Sequence, residues 1–261
     1  MSLLLASVTC LACFHLENKG SATSATFGKH FARATLQELE IPAHGADEDL
    51  CTYTGHVSSY NHQTLTPNWV AYCLTDNKVQ GSFKANYPFS QDPKVKGRQA
   101  SREDYSGSGY DKGHLVPRAD MKWDKQAYYE TFYFTNVCPQ NHQLNTGCWN
   151  KLEQKTRRMA SRYGIVYVVS GPIYSSKSPK TIGKGGVAVP DAFFKALLVP
   201  DGDEYRTVAF VMRNVPEKQD AQACAIAVDS LESLLQRDLF PSLPDKQEAR
   251  AEATFDWNDW K

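Results

Sequence analysis

The sequence has 261 residues, of which 41% are hydrophobic, and it carries 29 basic and 29 acidic side chains. A chain of this length buries a substantial core in one large or two small domains, and its composition excludes collagen-like, coiled-coil and disordered proteins. The net charge of zero gives no sign that the molecule as a whole binds a polyanion.

The N-terminal part is interpreted as a leader and a linker. Residues 1–14 form an apolar run that is too short to cross a bilayer. This run is similar to the hydrophobic part of an export signal but lacks a basic start, so a packed N-terminal segment is the alternative. Polar, small residues follow to residue 49. We therefore expect residues 1–49 to lie outside the main domain of a secreted or periplasmic protein. The rest of the chain offers no membrane helix, so we expect no stable membrane association.

Seven cysteines are present. Only Cys10 and Cys13 are close in sequence, and they belong to the leader-like segment, so we expect no zinc ribbon or finger. Cys138 and Cys148 flank an amide-rich loop, which they either bridge in an oxidising compartment or leave open as buried thiols.

From Cys51 onward the pattern predicts a sheet with a few helices. Runs of β-branched and aromatic residues predict strands, in chain order at residues 53–60, 67–74, 110–117, 131–137, 165–170, 187–189, 192–199 and 205–214. The strand at 165–170 is continuously apolar, which is typical of burial on both faces. Helices are predicted at 124–130, at about 147–163 and at 220–239, and residues 244–261 form a polar tail expected to be frayed.

Two stretches of the sequence are locally basic. Basic residues outnumber acidic ones by nine to six between Lys84 and Lys125, and by five to one between Lys151 and Arg162. A basic patch attracts phosphate groups over roughly 8–10 Å at physiological salt, although a solvated helix face explains either stretch taken alone.

The strand at 110–117 contains a histidine next to a glycine, Gly113-His114. Hydrolysis of a phosphodiester needs a base for water, a cation for the charge at phosphorus and a proton for the leaving oxygen. A histidine with the ordinary pKa near 6.5 is mostly neutral at pH 7 and suits the first role. Gly113 allows the backbone to approach another segment closely. A lone histidine in an apolar strand is, however, more often structural.

The predicted helix adds further polar groups. Asn145, Trp149, Glu153 and Arg157 are spaced four residues apart and lie along one side of it. Amide and carboxylate oxygens suit Mg²⁺, and a guanidinium grips phosphate with two parallel hydrogen bonds. The alternative is a surface pair between Glu153 and Arg157, worth about 0.3–0.5 kcal/mol.

Three linked motifs carry a resemblance to a known family. They are Asp111-Lys112-Gly113-His114, then Asn136-Val137-Cys138-Pro139-Gln140, then Asn145 followed at intervals of four by Trp149 and Glu153. In order and spacing the chain resembles the DNA/RNA non-specific endonucleases of the ββα-metal class, from about residue 60 to residue 240. The resemblance implies an α+β fold, with a ββα-metal nuclease core embedded in a mixed, mainly antiparallel sheet and flanked by helices. The nuclease domain would span residues 50–243.

The resemblance also implies roles for the motif residues. His114 would be the general base, and Asn145 the sole direct protein ligand of one Mg²⁺, with Mn²⁺ as the alternative ion. Glu153 would hold water bound to that ion, and Asn136 would support the site. Arg157 would contact phosphate or stabilise the transition state. The substrates would be DNA and RNA, because contacts go mainly to the backbone, and the products would carry 5′-phosphates.

Two basic residues at or before the first motif are candidates for binding the substrate phosphate. The family places an upstream arginine on the substrate phosphate, and Arg102 is the candidate here. Lys112 stands where the family usually has arginine, so the charge is kept while the planar fork that grips phosphate is lost. We expect a changed rate or preference from this lysine, and we assign it a catalytic or substrate-binding role. Asp111 is expected to anchor the loop.

Two other functions are compatible with the same residues. One is a non-catalytic nucleic-acid-binding relative, although His114, Asn145 and Glu153 are all retained. The other is a phosphodiesterase or phosphatase acting on small nucleotides. The oligomeric state does not follow from the sequence.

Overall fold

A computed structural model describes residues 41–261, and the apolar run and most of the linker predicted within residues 1–49 lie outside the described residues. The strands are β1 (Asp49–Thr52), β2 (Val57–Asn61), β3 (Thr66–Thr75), β4 (Asp111–His114), β5 (Val137–Gln140), β6 (Ile165–Ile173), β7 (Thr181–Ile182), β8 (Val187–Ala188), β9 (Ala192–Asp201), β10 (Glu204–Arg213) and β11 (Ala225–Ile226). The α-helices are α1 (Asp76–Val79), α2 (Arg102–Tyr105), α3 (Lys125–Glu130), α4 (Asn150–Tyr163), α5 (Val228–Leu235) and α6 (Asp245–Ala251).

The main sheet has seven strands in the order β1-β2-β3-β6-β9-β10-β11. Every neighbouring pair in it is antiparallel. Two further two-stranded ribbons, β4–β5 and β7–β8, lie outside it. The predicted α+β class with a mainly antiparallel sheet is therefore confirmed.

Side-chain alternation places the two largest hydrophobic cores on opposite faces of the sheet. On β3, Tyr72 belongs to the first core and Trp69 to the second, because successive residues of a strand point to opposite faces. Helix α4 covers the first face with Leu152, and α5 covers the second with Leu231. Because both faces are covered, the central strands β6 and β9 are mostly apolar, and Ser170 and Lys195 are buried polar residues within them.

The unit that carries the three motifs is a strand pair followed by a helix. β4 pairs antiparallel with β5, Gly113 opposite Cys138. The chain then enters a π-helical turn at Leu144–Trp149, which is kinked at Gly147 (φ −99°, ψ −107°) and leads into α4. α4 ends at Gly164, whose φ of 82° is readily adopted only by glycine. The predicted helix is confirmed from Asn150 to its end, whereas its predicted start at about residue 147 falls on the kink at Gly147.

Two predicted elements differ from the structure. The strand predicted at residues 131–137 is wrong: Phe134–Asn136 is a 3₁₀ turn, and the strand β5 runs through Pro139. A proline is tolerated there because β5 belongs to a two-stranded ribbon, where not every backbone N–H is needed for pairing. The predicted helix 220–239 is limited to α5, which stops where Gln236 turns left-handed with a φ of 52°.

The C-terminal tail is ordered, so the expectation of a frayed end is wrong. Residues 245–251 form α6, and Trp260 is 1% exposed within the first core. Lys155 on α4 donates a hydrogen bond to the backbone oxygen of Trp260. Burial of the Trp260 side chain holds the C-terminal segment in place, although the composition of this segment is otherwise polar.

Cys138 and Cys148 are free thiols, the first of them fully buried, so no bridge crosses the amide-rich loop. Within residues 41–261 none of the helices combines the length and the apolar character needed to cross a bilayer.

The central position of β9 leads to a prediction about stability. Leu197 is 0% exposed in the first core, so Leu197→Ala is expected to lower the free energy of unfolding by about 2–5 kcal/mol. Leu234 on α5 is 57% exposed, and Leu234→Ala should change it by no more than about 0.5 kcal/mol. Urea denaturation of the two variants measures both values, and equal losses would contradict the burial of Leu197 in the first core.

Candidate active site

A pocket of about 900 Å³ opens where the β4–β5 ribbon meets α4. Five predicted site residues line it: Lys112 and His114 from β4, Asn145 from the π-helical turn, and Glu153 and Arg157 from α4. The structure therefore brings together an imidazole, an amide, a carboxylate and two cationic groups that are up to 45 positions apart in the sequence.

His114 is half-buried between two aromatic rings. Its ring centroid lies 5.1 Å from that of Phe89 and 5.4 Å from that of Phe132. Nε2 is enclosed and has no hydrogen-bond partner among the described residues. Nδ1 is not among the enclosed atoms, and we infer that it is the nitrogen that faces the pocket. Burial, with a smaller contribution from the charge of Arg118, lowers the pKa of His114 to about 4. The ring is therefore a neutral proton acceptor at pH 7.

The glycine before the histidine is required for packing. A Cβ atom at Gly113 would lie 2.3 Å from Oε1 and 2.5 Å from Cβ of Gln140. Gln140 is the last residue of the second motif and is 1% exposed. The close approach expected of Gly113 is thus made with another chain segment, and it joins the first two motifs directly.

The Asn145 side chain is oriented by Asp111. Its Nδ2 donates a hydrogen bond of 2.9 Å to Oδ2 of Asp111. Nδ1 of His142 lies 2.9 Å from the same oxygen. Because the amide nitrogen is engaged, Oδ1 of Asn145 is left as a free acceptor at the pocket wall. Asp111 acts as the anchor expected from the sequence.

A buried ion pair lies behind the pocket. Asp120 is fully buried and accepts a hydrogen bond of 2.6 Å from Nη1 of Arg157 and one of 2.8 Å from the Tyr72 hydroxyl. Arg157, which was expected to contact phosphate, therefore also has a structural partner. Its side chain stays 19% exposed and reaches the pocket.

A buried lysine completes this group of charges. Lys195 on β9 is 0% exposed, and its Nζ lies 4.9 Å from the centre of the Trp149 ring without a hydrogen-bond partner among the described residues. Burial lowers the pKa of Lys195, and the charges of Glu153 and Asp120 oppose this shift. Burial raises the pKa of Glu153, and the charges of Lys195 and Arg157 oppose this rise. Two carboxyl groups and two cationic groups thus balance one another in a region of low dielectric constant.

Lys112 lies at the pocket among aromatic rings. Its Nζ is 5.7 Å from the centre of the Phe89 ring and 5.6 Å from that of Tyr105. A lysine ammonium at such distances interacts favourably with the ring faces. The rings hold the charge of Lys112 at the pocket in the position where the family usually has an arginine.

Two predicted site residues do not line the pocket. Arg102 is exposed on α2 and is absent from the pocket wall. Asn136 is fully buried, and its amide bonds the backbone N–H and oxygen of Val116, at 2.8 and 3.0 Å, and the backbone oxygen of Thr131, at 3.0 Å. It therefore holds the segment that follows His114, and its supporting role stays a prediction.

Sequence reasoning missed several residues at the site. Lys84, Arg118 and Lys122 line the pocket. The signal for these three was the excess of basic residues between positions 84 and 125. Asp120 and Lys195 left no signal, because neither belongs to a motif and their burial follows only from the tertiary structure.

The donor atoms at the pocket fit a hard divalent cation. Oδ1 of Asn145 is held free by Asp111, and the Glu153 carboxylate lines the same wall without an ion-pair partner among the described residues. Oxygen ligands in small number suit Mg²⁺, which keeps several of its waters when bound. Asn145 would hold the ion directly and Glu153 would lie beside it.

A ββα unit that presents a histidine from its strands and an asparagine and a glutamate from its helical part defines a nuclease of the ββα-metal class. The family model for DNA/RNA non-specific endonucleases matches residues 35–246. The chain belongs to this family.

Known proteins agree with this assignment. Nuclease EXOG, mitochondrial, of Danio rerio is 33% identical over 92% of this chain and 73% of its own length. Endonuclease G, mitochondrial, of Homo sapiens is 32% identical over 68% of this chain and 64% of its own length. A chain in the crystal structure of the EndoG/EndoGI complex superposes with a TM-score of 0.71 at 26% identity, over 77% of this chain and 89% of that chain.

The expectation of a secreted or periplasmic protein with a signal peptide is wrong. The relatives are mitochondrial nucleases. A short apolar run without a basic start is compatible with more than one kind of N-terminal segment, so its hydrophobicity alone did not determine the compartment.

The hydrogen bond between Asp111 and Asn145 leads to a prediction. Asp111→Ala leaves the Asn145 amide free to rotate, and loss of such an orienting partner typically weakens metal binding by about 10–100-fold. The Mg²⁺ concentration for half-maximal nuclease activity should rise by that factor. His142→Ala, which removes the other partner of the same carboxylate oxygen, is the matched control and should leave it nearly unchanged. An equal effect of both variants would contradict the orienting role.

Proposed function

We propose that the chain is a sugar-non-specific endonuclease that hydrolyses phosphodiester bonds of DNA and RNA with Mg²⁺ and leaves 5′-phosphate ends. His114 is the general base, and Mn²⁺ is the alternative ion. The observation that carries the proposal is the meeting of His114, Asn145 and Glu153 at one open pocket.

His114 acts on the attacking water. Its proton in the neutral ring lies on Nε2, and Nδ1 takes a proton from water in the pocket. The water oxygen forms a bond to phosphorus while the bond from phosphorus to the 3′ oxygen breaks. The phosphate then stays on the 5′ end of one fragment, and the 3′ oxygen of the other takes a proton from solvent. Phe89 and Phe132 fix the ring plane for this transfer.

The helical side of the pocket stabilises the charge at phosphorus. When bound, the cation neutralises negative charge that develops on the phosphate oxygens. Asn145 would hold it through Oδ1, and Glu153 would place a carboxylate beside it. Arg157 uses Nη1 for Asp120 and has further N–H donors that are free to bind a phosphate oxygen.

A polymer is the substrate that the surroundings of the site favour. Lys84, Lys112, Arg118 and Lys122 line the same pocket. Their charges attract the sugar–phosphate backbone, which DNA and RNA share, and such contacts carry no sequence information. The names of the relatives support a mitochondrial location for this chain.

The central prediction concerns the base. His114→Ala is expected to abolish cleavage of both plasmid DNA and RNA in Mg²⁺, while thermal stability and binding to a non-cleaved oligonucleotide stay nearly unchanged. His62→Ala, a histidine outside the pocket wall, is the control and should cleave normally. EDTA should stop the wild-type reaction, and end-labelling should find 5′-phosphates on the products.

Three outcomes would contradict the proposal. Unaltered turnover in His114→Ala would remove the histidine from the mechanism. Binding of nucleic acid by the wild type without cleavage would select a non-catalytic binding protein. Cleavage of small phosphate esters alone would select a small-nucleotide phosphodiesterase.

The protonation state of His114 gives a second prediction. Burial lowers its pKa to about 4, so in the metal-free protein the ring should stay neutral as the pH falls from 7 to 5. An NMR titration of the His114 ring signal, identified by its absence in His114→Ala, measures this directly. A midpoint near the ordinary value of about 6.5 would show that water solvates the ring freely.

A further inference from the structure

A group of three carboxyl side chains lies at the helices α5 and α6, away from the pocket. One oxygen atom each of Asp229, Glu232 and Glu252 lies within 4.8 Å of the others. α5 packs on the second core through Val228 and Leu231, whereas α4 with the candidate active site packs on the first. The sheet therefore separates this group from the nuclease site.

Glu252 is the unusual member of this group. It ends α6, is 1% exposed, and its Oε1 is enclosed without a hydrogen-bond partner among the described residues. Its backbone oxygen accepts a hydrogen bond of 3.2 Å from the N–H of Asp229, which fixes it against the first turn of α5. Burial of a carboxylate without a partner is costly. A proton or a cation is needed to balance it.

The surroundings of Glu252 are acidic. Burial raises its pKa to about 9, and the charges of Glu232, Glu248, Asp238 and Asp229 all act in the same direction. Burial raises the pKa of Glu232 to about 7, and the neighbouring carboxylates act in the same direction. Only the hydrogen bond from the backbone N–H of Leu239 lowers this pKa. The nearby Arg237 is engaged elsewhere, since its Nη2 donates to Glu48 over 2.8 Å. The charged neighbours that shift the pKa of Glu252 are all acidic, so they do not supply the missing positive charge.

We propose that Asp229, Glu232 and Glu252 bind one Ca²⁺-class cation, as a structural site distinct from the nuclease centre. Ca²⁺ takes oxygen ligands at about 2.3–2.6 Å, so two ligands on opposite sides of it are about 4.6–5.2 Å apart. The spacing within 4.8 Å fits this requirement. Oε1 of Glu232 accepts a hydrogen bond of 2.7 Å from Leu239, which leaves its second oxygen for the ion.

The site joins two elements of the C-terminal layer. It connects the first turn of α5 to the end of α6. Asp229 is exposed and Glu232 is half-buried, so water completes the coordination, as the flexible geometry of Ca²⁺ allows. The bound ion would hold α6 against α5 and stabilise the folded chain without taking part in cleavage.

The test uses the full chain with Asn145→Ala, so that the proposed active-site ligand does not contribute. After removal of metals, CaCl₂ is added and the thermal midpoint is compared with that in EDTA. A site of sub-millimolar to millimolar affinity should raise the midpoint by about 3–8 °C at 10 mM CaCl₂. Calorimetric titration with CaCl₂ should find one site.

Three further substitutions identify the ligands. Asp229→Asn, at an exposed position, should abolish the rise. Glu252→Gln should also abolish it, yet should raise the midpoint in EDTA, because buried Glu252 must take up a proton when no cation is bound and a buried glutamine needs none. Glu217→Gln, an exposed position outside the group, is the control and should keep the full rise.

The proposal is overturned if CaCl₂ has no effect on the Asn145→Ala chain, which would mean that a proton alone balances Glu252. It is also overturned if Asp229→Asn and Glu252→Gln keep the full rise. Either result leaves the proposed nuclease mechanism untouched, because that mechanism is measured by cleavage in Mg²⁺.

Discussion

The buried ion pair between Asp120 and Arg157 holds the nuclease unit together. Asp120 follows the first motif, and Arg157 lies 37 residues later on α4. Their bond therefore joins the β4 side of the pocket to its helical side. Removal of either partner would leave an unpaired charge in a dry core, at a cost of about 3–5 kcal/mol. The Tyr72 hydroxyl extends the same network into the main sheet.

The same network links the fold to the chemistry. Lys195 reaches the back of the site from β9 and offsets the charge of Glu153 and Asp120. Burial and Asp120 raise the pKa of Glu153 to about 8 even though Lys195 and Arg157 oppose the shift. These cations therefore limit the tendency of Glu153 to be protonated, and a metal ion beside it would favour the charged form further. A central strand thus sets the electrostatic state of a group on the pocket wall, although it contributes nothing to the wall itself.

The position of Lys112 shows how one family site accommodates a different cation. A lysine cannot grip phosphate with a planar fork, so its position depends on other contacts. Phe89 and Tyr105 supply these contacts. Phe89 also packs against the ring of His114, and one aromatic residue therefore positions both the base and the neighbouring positive charge. The identity of the family does not depend on this position, since its model matches residues 35–246.

The sequence by itself determined the motif residues and most of the sheet. The spacing of the three motifs predicted His114, Asn145, Glu153 and Arg157 as site residues, and runs of β-branched and aromatic residues predicted the long strands, because both are local patterns along one element. Tertiary structure decided which charges face each other. Asp120 and Lys195 are ordinary residues in sequence, and only burial gives them a role. Arg102, predicted as a phosphate contact, lies on α2 and does not line the pocket, and its position in space could not be read from the local sequence. The order of the C-terminal tail was likewise decided by tertiary structure, because burial of Trp260 outweighs the polar composition of the tail.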